Sequence, residues 1–257
     1  MISVAVSGAA GRTGSLVAAT VAAAPDLELT ACFDPAGSGE AGGREVTADP
    51  ASLSGADVVV EFTTPDVVMQ NLNAWREMDL NAVVGTSGFD DARLAALGKQ
   101  WGSGPPNCLV VPNFSIGAVL MMKFAEIAAP HFTASEIIEL HHDRKADAPS
   151  GTALATAARI RAAGGRQDRF TEPEELVDGA RGADAGGVRV HAVRLPGLLA
   201  HQEVLFGSEG EALTLRHDTT DRLAFMPGVL LAVRAVAGLT NPMTVGLEGL
   251  LGLRSLP

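Results

Sequence analysis

The sequence is poor in positive charge. Its 257 residues include 19 lysines and arginines against 30 aspartates and glutamates, which gives a formal net charge of −11 and a pI near 4.9. Nucleic acids and anionic membranes bind proteins through basic surfaces, so this composition argues against both as partners. An anionic ligand would therefore have to meet positive groups that are placed locally.

Cysteine and long apolar runs are also scarce. Only Cys32 and Cys108 are present, and both lie in apolar segments typical of buried strands, which suits packed thiols better than a disulfide framework. No apolar stretch is long enough to span a bilayer. The first eight residues lack a basic region and lead directly into a glycine-rich turn, unlike a signal peptide. These absences predict a cytoplasmic protein without a membrane partner.

Apolar residues, by contrast, are abundant and ordered. They make up 47% of the chain, with only 19% charged residues, so a large core is expected. From residue 2 to residue 111, short apolar runs alternate with longer helical patterns, which is typical of a doubly wound parallel α/β sheet. The predicted strands span 2–6, 27–33, 57–62, 82–84 and 109–111, and the predicted helices span 12–24, 65–78 and 90–101.

The pattern changes after residue 113. Several strands now surround a single clear helix, which predicts an α+β domain with an open mixed sheet. Segment 164–187 is rich in Gly, Asp, Glu and Arg and predicts a long loop, while 225–239 is an apolar helix that could return to the first sheet. The predicted strands here span 135–142, 188–194, 201–206 and 212–216, and the helix spans 150–163.

A glycine-rich turn follows the first predicted strand and opens the first predicted helix. Its GxxGxxG spacing is a variant of the dinucleotide fingerprint, in which glycines let the backbone approach a pyrophosphate. Asp34 ends the second predicted strand, where an acidic side chain would bind the adenosine ribose hydroxyls. The alternatives are a turn without a ligand and an aspartate that caps its own turn. The residues of the turn are Gly8, Ala9, Ala10, Gly11, Arg12, Thr13 and Gly14.

Two further strand ends supply candidates for the same crevice, because ligands of doubly wound sheets lie at the carboxyl ends of the strands. Asp34 is followed by Pro35, which offers no cation to a 2′-phosphate and favours NADH, whereas Arg12 could permit NADPH. The sequence predicts use of both, without a strong preference for NADPH. The candidates near the nicotinamide are Gly85, Thr86, Ser87, Val111, Pro112, Asn113 and Phe114.

Segment 141–152 combines proton donors, a cation and a helix start, and it follows an alternating run typical of a strand. In an extended chain His141 and Lys145 would share one side, while His142 would point to the other. Histidine suits proton transfer near neutral pH, and lysine offers a charge for a carboxylate or a proton for a developing anion. His141 and Lys145 are therefore the predicted catalytic pair. For either residue alone, the alternative is a solvated loop charge.

A predicted helix N-terminus closes this segment. The free backbone N–H groups of Gly151 and Thr152, with the hydroxyls of Ser150 and Thr152, would bind one carboxylate, while Lys145 or His142 meets another. The substrate should therefore carry two acidic groups. An ordinary N-cap without a ligand is the alternative. No metal is predicted, because the adjacent histidines would point apart and no helical i, i+4 pair is present.

Together these motifs resemble one family, the dihydrodipicolinate reductases, also called 4-hydroxy-tetrahydrodipicolinate reductases, of the diaminopimelate and lysine pathway. The resemblance implies a Rossmann-like cofactor domain formed by 1–113 and 222–257. It also implies a substrate-binding and oligomerisation domain formed by 114–221, and a homotetramer. The resemblance spans nearly the whole chain and rests on Gly8–Gly14, Gly85–Phe89, Pro112–Gly117, Glu139–His142, Lys145–Ala153 and His201-Gln202-Glu203-Val204.

The resemblance also implies the chemistry. Hydride would pass from the nicotinamide to a small cyclic dicarboxylate derived from 4-hydroxy-tetrahydrodipicolinate, giving tetrahydrodipicolinate. His141 would assist protonation, and Lys145 would supply a proton or positive charge. His142, Ser150, Gly151 and Thr152 would complete the substrate contacts. Two alternatives stay open, namely another Rossmann oxidoreductase, such as a relative of aspartate or homoserine dehydrogenase, and a dinucleotide sensor without catalysis.

Overall fold

The computed structural model describes residues 1–168 and 174–253. These residues form two compact units. The first consists of Met1–Ile116 and the described residues from Phe225 onward, and the second consists of the described part of Gly117–Ala224. Within the described residues, no helix has the length and apolar character needed to cross a membrane.

The first unit is built on an eight-stranded sheet. Its strands, numbered in chain order, are β1 (Ile2–Ser7), β2 (Leu27–Phe33), β3 (Glu40–Ala41), β4 (Arg44–Thr47), β5 (Val58–Glu61), β6 (Asn81–Val84), β7 (Cys108–Val110) and β13 (Met243–Val245). The spatial order is β13-β7-β6-β5-β1-β2-β4-β3, and only the β3–β4 pair is antiparallel. The chain moves outward from β1 in one direction and then from β5 in the other, so the switch point of this sheet lies between β1 and β5.

Helices cover both faces of this sheet. They are α1 (Arg12–Ala23), α2 (Val68–Glu77), α3 (Asp91–Trp101) and α6 (Met226–Ala235). Alternation along β1 places Val4 and Val6 in a core shared with α1 and α6, whereas Ala5 joins a core shared with α2 and α3. Cover on both faces explains why every residue of β5 is buried. The predicted doubly wound α/β fold is confirmed.

Helix α1 positions the glycine-rich turn. Its buried residues Gly14, Val17, Ala18 and Val21 recur every three or four positions, which is the pattern of a helix with one face on a core. The helix stops at Ala24, which is extended with ψ 124° because the next residue is proline. Packing along its length therefore holds the start of α1 against the end of β1.

The second unit contains a five-stranded mixed sheet. Its strands are β8 (Ala134–His141), β9 (Ala183–Ala185), β10 (Val188–Arg194), β11 (Ala200–Ser208) and β12 (Glu211–Thr219), and its helices are α4 (Ile116–Ala128) and α5 (Gly151–Ala162). The order is β12-β11-β8-β10-β9, in which β8 and β10 are parallel and the other pairs are antiparallel. Helix α5 lies against β8, β9 and β10. The predicted open mixed sheet is confirmed.

The sequence patterns missed helix α4. Segment 116–128 is apolar on nearly all sides and lacks the polar face that reveals a surface helix. The predicted loop 164–187 was partly wrong, because it contains β9, while residues 169–173 lie outside the described residues. The short strands β3, β4 and β13 were also missed. Strand β8 ends at His141, one residue earlier than predicted.

Candidate active site

The glycine-rich turn joins β1 to α1 in a conformation that leaves no room for a side chain at Gly8 or Gly14. Gly8 has φ +82°, and a Cβ at this position would lie 2.3 Å from the carbonyl oxygen of Phe62. A Cβ on Gly14 would lie 2.0 Å from the carbonyl oxygen of Gly8. Gly11 is the N-cap of α1, and neither a side-chain cap nor an acidic residue occupies the first turn. The helix start therefore offers backbone N–H groups to an anion.

A cavity of about 420 Å³ lies beside this turn in the first unit. This volume falls within the range of small-molecule sites. Ten of the predicted cofactor residues line it: Gly11, Arg12, Thr13, Gly85, Thr86, Ser87, Val111, Pro112, Asn113 and Phe114. Phe62, Thr63 and Phe225 also line it and were missed. The first two follow β5 directly, so the strand-end rule would have found them.

The other predicted cofactor residues do not line this cavity. Gly8 and Ala9 donate backbone hydrogen bonds to the carbonyl of Phe33, at 2.8 and 3.1 Å, and thereby join the turn to β2. The carboxylate of Asp34 accepts from the N–H groups of Ala10 at 3.2 Å and Ala36 at 3.0 Å. Asp34 therefore caps its own turn, and it also places an acidic group beside the glycine-rich turn.

A buried carboxylate supports the cavity, and sequence reasoning missed it. Glu61 ends β5 with no exposed surface, and it accepts hydrogen bonds from Trp75 Nε1 at 2.8 Å, Asn71 Nδ2 at 3.0 Å and Thr63 Oγ1. Thr63 in turn donates its N–H to Thr86 Oγ1 at 2.9 Å. Two lining residues are thus held through one side chain. The available signal was a carboxylate at the end of an otherwise apolar strand.

In the second unit, β8 ends beside a second buried carboxylate. Alternation along the strand buries Glu139 completely. Its Oε2 lies 2.5 Å from His141 Nδ1, and Arg194 donates to both of its oxygens, at 2.8 and 2.9 Å. Burial raises the pKa of Glu139, but the hydrogen bonds from Arg194 and His141 outweigh it and leave the pKa below its ordinary value. Glu139 is therefore an ionised acceptor for the His141 ring.

The ring of His141 is largely buried, with 15% of its side chain exposed. Burial is the main cause that lowers its pKa below the ordinary value; Glu139 opposes this effect, whereas Lys145 and Arg194 add to it. Because Nδ1 contacts Glu139, Nε2 is the nitrogen that can exchange a proton with a ligand. A histidine in this state can release a proton readily near neutral pH.

Ser150 is the N-cap of α5. Its Oγ accepts from the N–H of Ala153 at 3.2 Å, and its own N–H donates to Glu139 Oε1 at 3.0 Å. Gly151 and Thr152 form the first turn, where backbone N–H groups have no partner within the helix. Gly151 has open space where a Cβ would project. The helix start is thus suited to an anion, and Glu139 fixes its position.

Lys145 and His142 lie in or beside the turn between β8 and α5. Lys145 Nζ lies 2.7 Å from both carboxylate oxygens of Asp147, whose pKa this hydrogen bond lowers. The Asp147 side chain is 64% exposed, so the pair is a weak surface ion pair that a ligand carboxylate can replace. Nδ1 of His142 is buried without a hydrogen-bond partner among the described residues. No cluster of three or more metal-ligating side chains occurs in the described part of the chain.

The comparisons with known proteins point to the same family for both halves of the chain. The family model "Dihydrodipicolinate reductase, N-terminus" matches residues 2–114, and "Dihydrodipicolinate reductase, C-terminus" matches residues 117–251. The chain belongs to the dihydrodipicolinate reductase family. Two relatives named 4-hydroxy-tetrahydrodipicolinate reductase, from Cutibacterium acnes and Thermobifida fusca, are each 54% identical to it over 98% of this chain and 100% of the relative.

A solved structure from the same family is also similar. It is the dipicolinate-bound dihydrodipicolinate reductase of Paenisporosarcina sp. TG-14, with 38% identity, a TM-score of 0.83, and coverage of 97% of this chain and 99% of that chain. The predicted family is therefore confirmed. As a member of this family, the chain is an oxidoreductase with a Rossmann-like, dinucleotide-binding fold.

Proposed function

We propose that this protein reduces 4-hydroxy-tetrahydrodipicolinate to tetrahydrodipicolinate with NADH or NADPH, in diaminopimelate and lysine biosynthesis. The observation that carries the proposal is the placement of a proton donor, His141, on the same buried carboxylate that holds the start of α5. The close relatives are named for this activity, and the related structure is named for bound dipicolinate, a small dicarboxylate.

The first unit would hold the dinucleotide. The start of α1, with Gly11, Arg12 and Thr13, would bind the pyrophosphate, and Asp34 would bind the adenosine ribose. The nicotinamide half would lie along the strand ends 85–87 and 111–114, which line the cavity. When bound, the reduced nicotinamide supplies the hydride. Gly8, Ala9 and Ala10 would act by shaping the turn.

The second unit would bind the substrate and provide the proton. The N–H groups of Gly151 and Thr152, with the Thr152 hydroxyl, would hold one carboxylate at the positive end of α5. Lys145 would release Asp147 and bind the second carboxylate of the substrate, and His142 would lie beside this carboxylate. Loss of the 4-hydroxyl group as water would give the conjugated dihydrodipicolinate ring. Hydride addition to this ring would leave negative charge, and a proton from His141 Nε2, assisted by the charge of Lys145, would complete the reduction.

We also propose a cytoplasmic homotetramer assembled through the second sheet. Residues 211, 212, 214, 216 and 218 of β12 are exposed, so this edge strand has an open side within the described part of a single chain. Light scattering should give a mass four times the 26.4 kDa of the chain. A monomer at micromolar concentration would contradict the assembly without affecting the assigned reaction.

A coupled assay tests the function directly. Substrate is generated in place from aspartate semialdehyde and pyruvate, and oxidation of the reduced cofactor is followed by absorbance. Turnover is expected only when both precursors have been converted. Tight NADH binding without turnover would favour a dinucleotide sensor, whereas oxidation of aspartate or homoserine would favour another dehydrogenase of the same fold.

Cofactor preference should be weak. Asp34 is followed by Pro35, so the ribose end offers no cation directly after the acidic residue, while Arg12 lies in the cavity lining. We expect kcat/KM for NADPH to exceed that for NADH by less than about 100-fold, because one guanidinium contact contributes about 1.5–3 kcal/mol. Steady-state kinetics with both cofactors measures this ratio. Arg12→Ala should lower the value for NADPH more than that for NADH; a larger loss with NADH would contradict this role for Arg12.

Thr152→Ala should mainly weaken substrate binding. The substitution removes one hydroxyl donor at the start of α5 but leaves the carbonyl that accepts from Thr156. We expect KM and the inhibition constant of dipicolinate to rise about tenfold, with kcat changed by less than about threefold, as for one lost hydrogen bond to a charged group. Leu154→Ala, on the exposed side of the same helix, is the matched control and should leave both constants unchanged. An equal loss of kcat with unchanged KM would remove Thr152 from the binding site.

A further inference from the structure

A buried ion pair underlies the proposed substrate site. Glu139 has no exposed side-chain surface, and the side chain of Arg194 is 19% exposed. The guanidinium binds the carboxylate through two hydrogen bonds, at 2.8 and 2.9 Å. Burying two charges is costly, and a buried pair is often no more stabilising than apolar residues of the same volume. Stability alone therefore gives no reason for charges at this position.

The pair contacts both parts of the site. Glu139 Oε2 contacts the ring of His141, and Glu139 Oε1 accepts the N–H of Ser150 at 3.0 Å. Arg194 also donates to the carbonyl of Asp147 at 2.7 Å. One carboxylate and one guanidinium thus connect the end of β8, the following turn and the N-cap of α5.

We propose that Glu139 and Arg194 are positioning residues that hold His141 in one tautomer and couple this proton donor to the carboxylate-binding start of α5. The inference rests on the proposed function, because it concerns the same site. An ionised carboxylate can only accept a hydrogen bond, so neutral His141 keeps its proton on Nδ1. Nε2 is then the nitrogen that gains and releases the catalytic proton, and it does so at a fixed distance from the helix start.

Among the residues that the structure describes, three charged groups act on the His141 ring. Glu139 lies on the same strand, Arg194 reaches it from β10, and Lys145 lies in the following turn, where Asp147 binds it. On the other side β11 places an alanine, residue 200, opposite His141. The negative charge of Glu139 favours the protonated ring, whereas the two cations disfavour it. The pKa of His141 should therefore respond in opposite directions to removal of Glu139 and of Arg194.

The test compares the pH profiles of two variants that remove charge. As the acid, His141 must be protonated, so kcat falls as pH rises through its pKa. In Glu139→Gln this falling limb should move about one pH unit toward acid, which lowers kcat about tenfold on that limb. In Arg194→Gln it should move toward alkali. Both variants should also raise KM for the substrate several-fold, because the start of α5, which binds a substrate carboxylate, is held less firmly. The dissociation constant of NADH should stay unchanged.

Glu136→Gln is the matched control. Glu136 lies on the same strand and also pairs with a histidine and an arginine, His191 and Arg181, but it projects to the opposite face of the sheet. Its profile should coincide with that of the wild type. Glu139→Asp, which keeps the charge, should retain the position of the limb even where kcat is reduced, and it provides the comparison if Glu139→Gln does not fold.

A uniform loss of kcat at every pH in both charge-removing variants, with the limbs in their wild-type positions, would overturn the proposal. Limbs that move in the same direction would do so as well. An NMR titration of ¹⁵N-labelled histidine gives the tautomer and pKa of His141 without turnover, and dipicolinate binding reports on the helix start. If the wild type proves inactive in the coupled assay, the proposed function fails, while these two measurements still decide the coupling.

Discussion

His141→Ala lowers kcat by about two to four orders of magnitude, the range of one general acid, and changes KM less than about threefold. Removing the ring removes the proton donor that contacts Glu139, while the two hydrogen bonds from Arg194 and the hydrogen bond from Ser150 to this carboxylate can persist. The binding groups therefore stay in place and the proton transfer is lost. Steady-state kinetics in the coupled assay measures both constants.

His131→Ala is the matched control for this substitution. His131 is exposed and ends the short helical turn after α4, so its loss should leave kcat unchanged. Lys145→Ala, assayed in parallel, should also lower mainly kcat, since its charge would stabilise the developing anion. If both His141→Ala and Lys145→Ala retain near wild-type kcat, neither residue takes part in proton transfer.

Gly14→Ala is expected to abolish tight dinucleotide binding and to lower the free energy of unfolding by about 3 kcal/mol, the upper range for an overpacked core position. A Cβ at this position would lie 2.0 Å from the carbonyl oxygen of Gly8, so α1 must move away from β1. The N–H groups at the helix start move with it. We expect the dissociation constant of NADH to rise at least about 100-fold, because the glycine permits the close helix–strand packing on which the site depends.

Substitutions at two other glycines provide comparisons for the effect of Gly14→Ala. A Cβ on Gly11 would lie 3.2 Å from the same carbonyl, so Gly11→Ala should cause a smaller loss. Gly98 lies inside α3 with nothing within 4 Å of a Cβ, and Gly98→Ala should stabilise the protein by about 0.5–1 kcal/mol. Urea unfolding, followed through the buried Trp75 and Trp101, and calorimetric NADH titration measure the two quantities. Wild-type NADH affinity in Gly14→Ala would contradict the assigned role of the turn.

The fold of the first unit was predictable because its signals are local. A strand covered on both faces is nearly continuously apolar, as in Val58–Glu61, in which three valines precede the terminal glutamate. Helix boundaries are marked by single residues, such as Pro25 after α1 and Asp90, which caps α3 through the N–H of Arg93 at 2.7 Å. Helix α4 was not predictable in this way, because apolar residues on nearly all of its sides remove the contrast between its faces.

In the candidate site, too, the residues that could be predicted were those with a local signal in the sequence. The glycine-rich turn and segment 141–152 are contiguous, so their residue types and spacing already indicate what each could bind. Arg194 lies 55 residues from Glu139, and in the sequence it is an ordinary charge at the end of a strand. Asn71 and Trp75 likewise give no sign that they bind Glu61. The residues that hold the buried carboxylates in place, in both units, were therefore missed.

The sequence by itself determined the family, the order of the main strands and helices of the first unit, and the reactive segment, because these properties are carried by neighbouring residues and by periodic patterns. Only the tertiary structure decided which charges meet. It places Lys145 on Asp147, and His141 on a carboxylate shared with Arg194 and the start of α5. The reason is physical: an ion pair or hydrogen bond depends on distance and direction in space, and strand pairing brings together residues whose separation along the chain carries no such information.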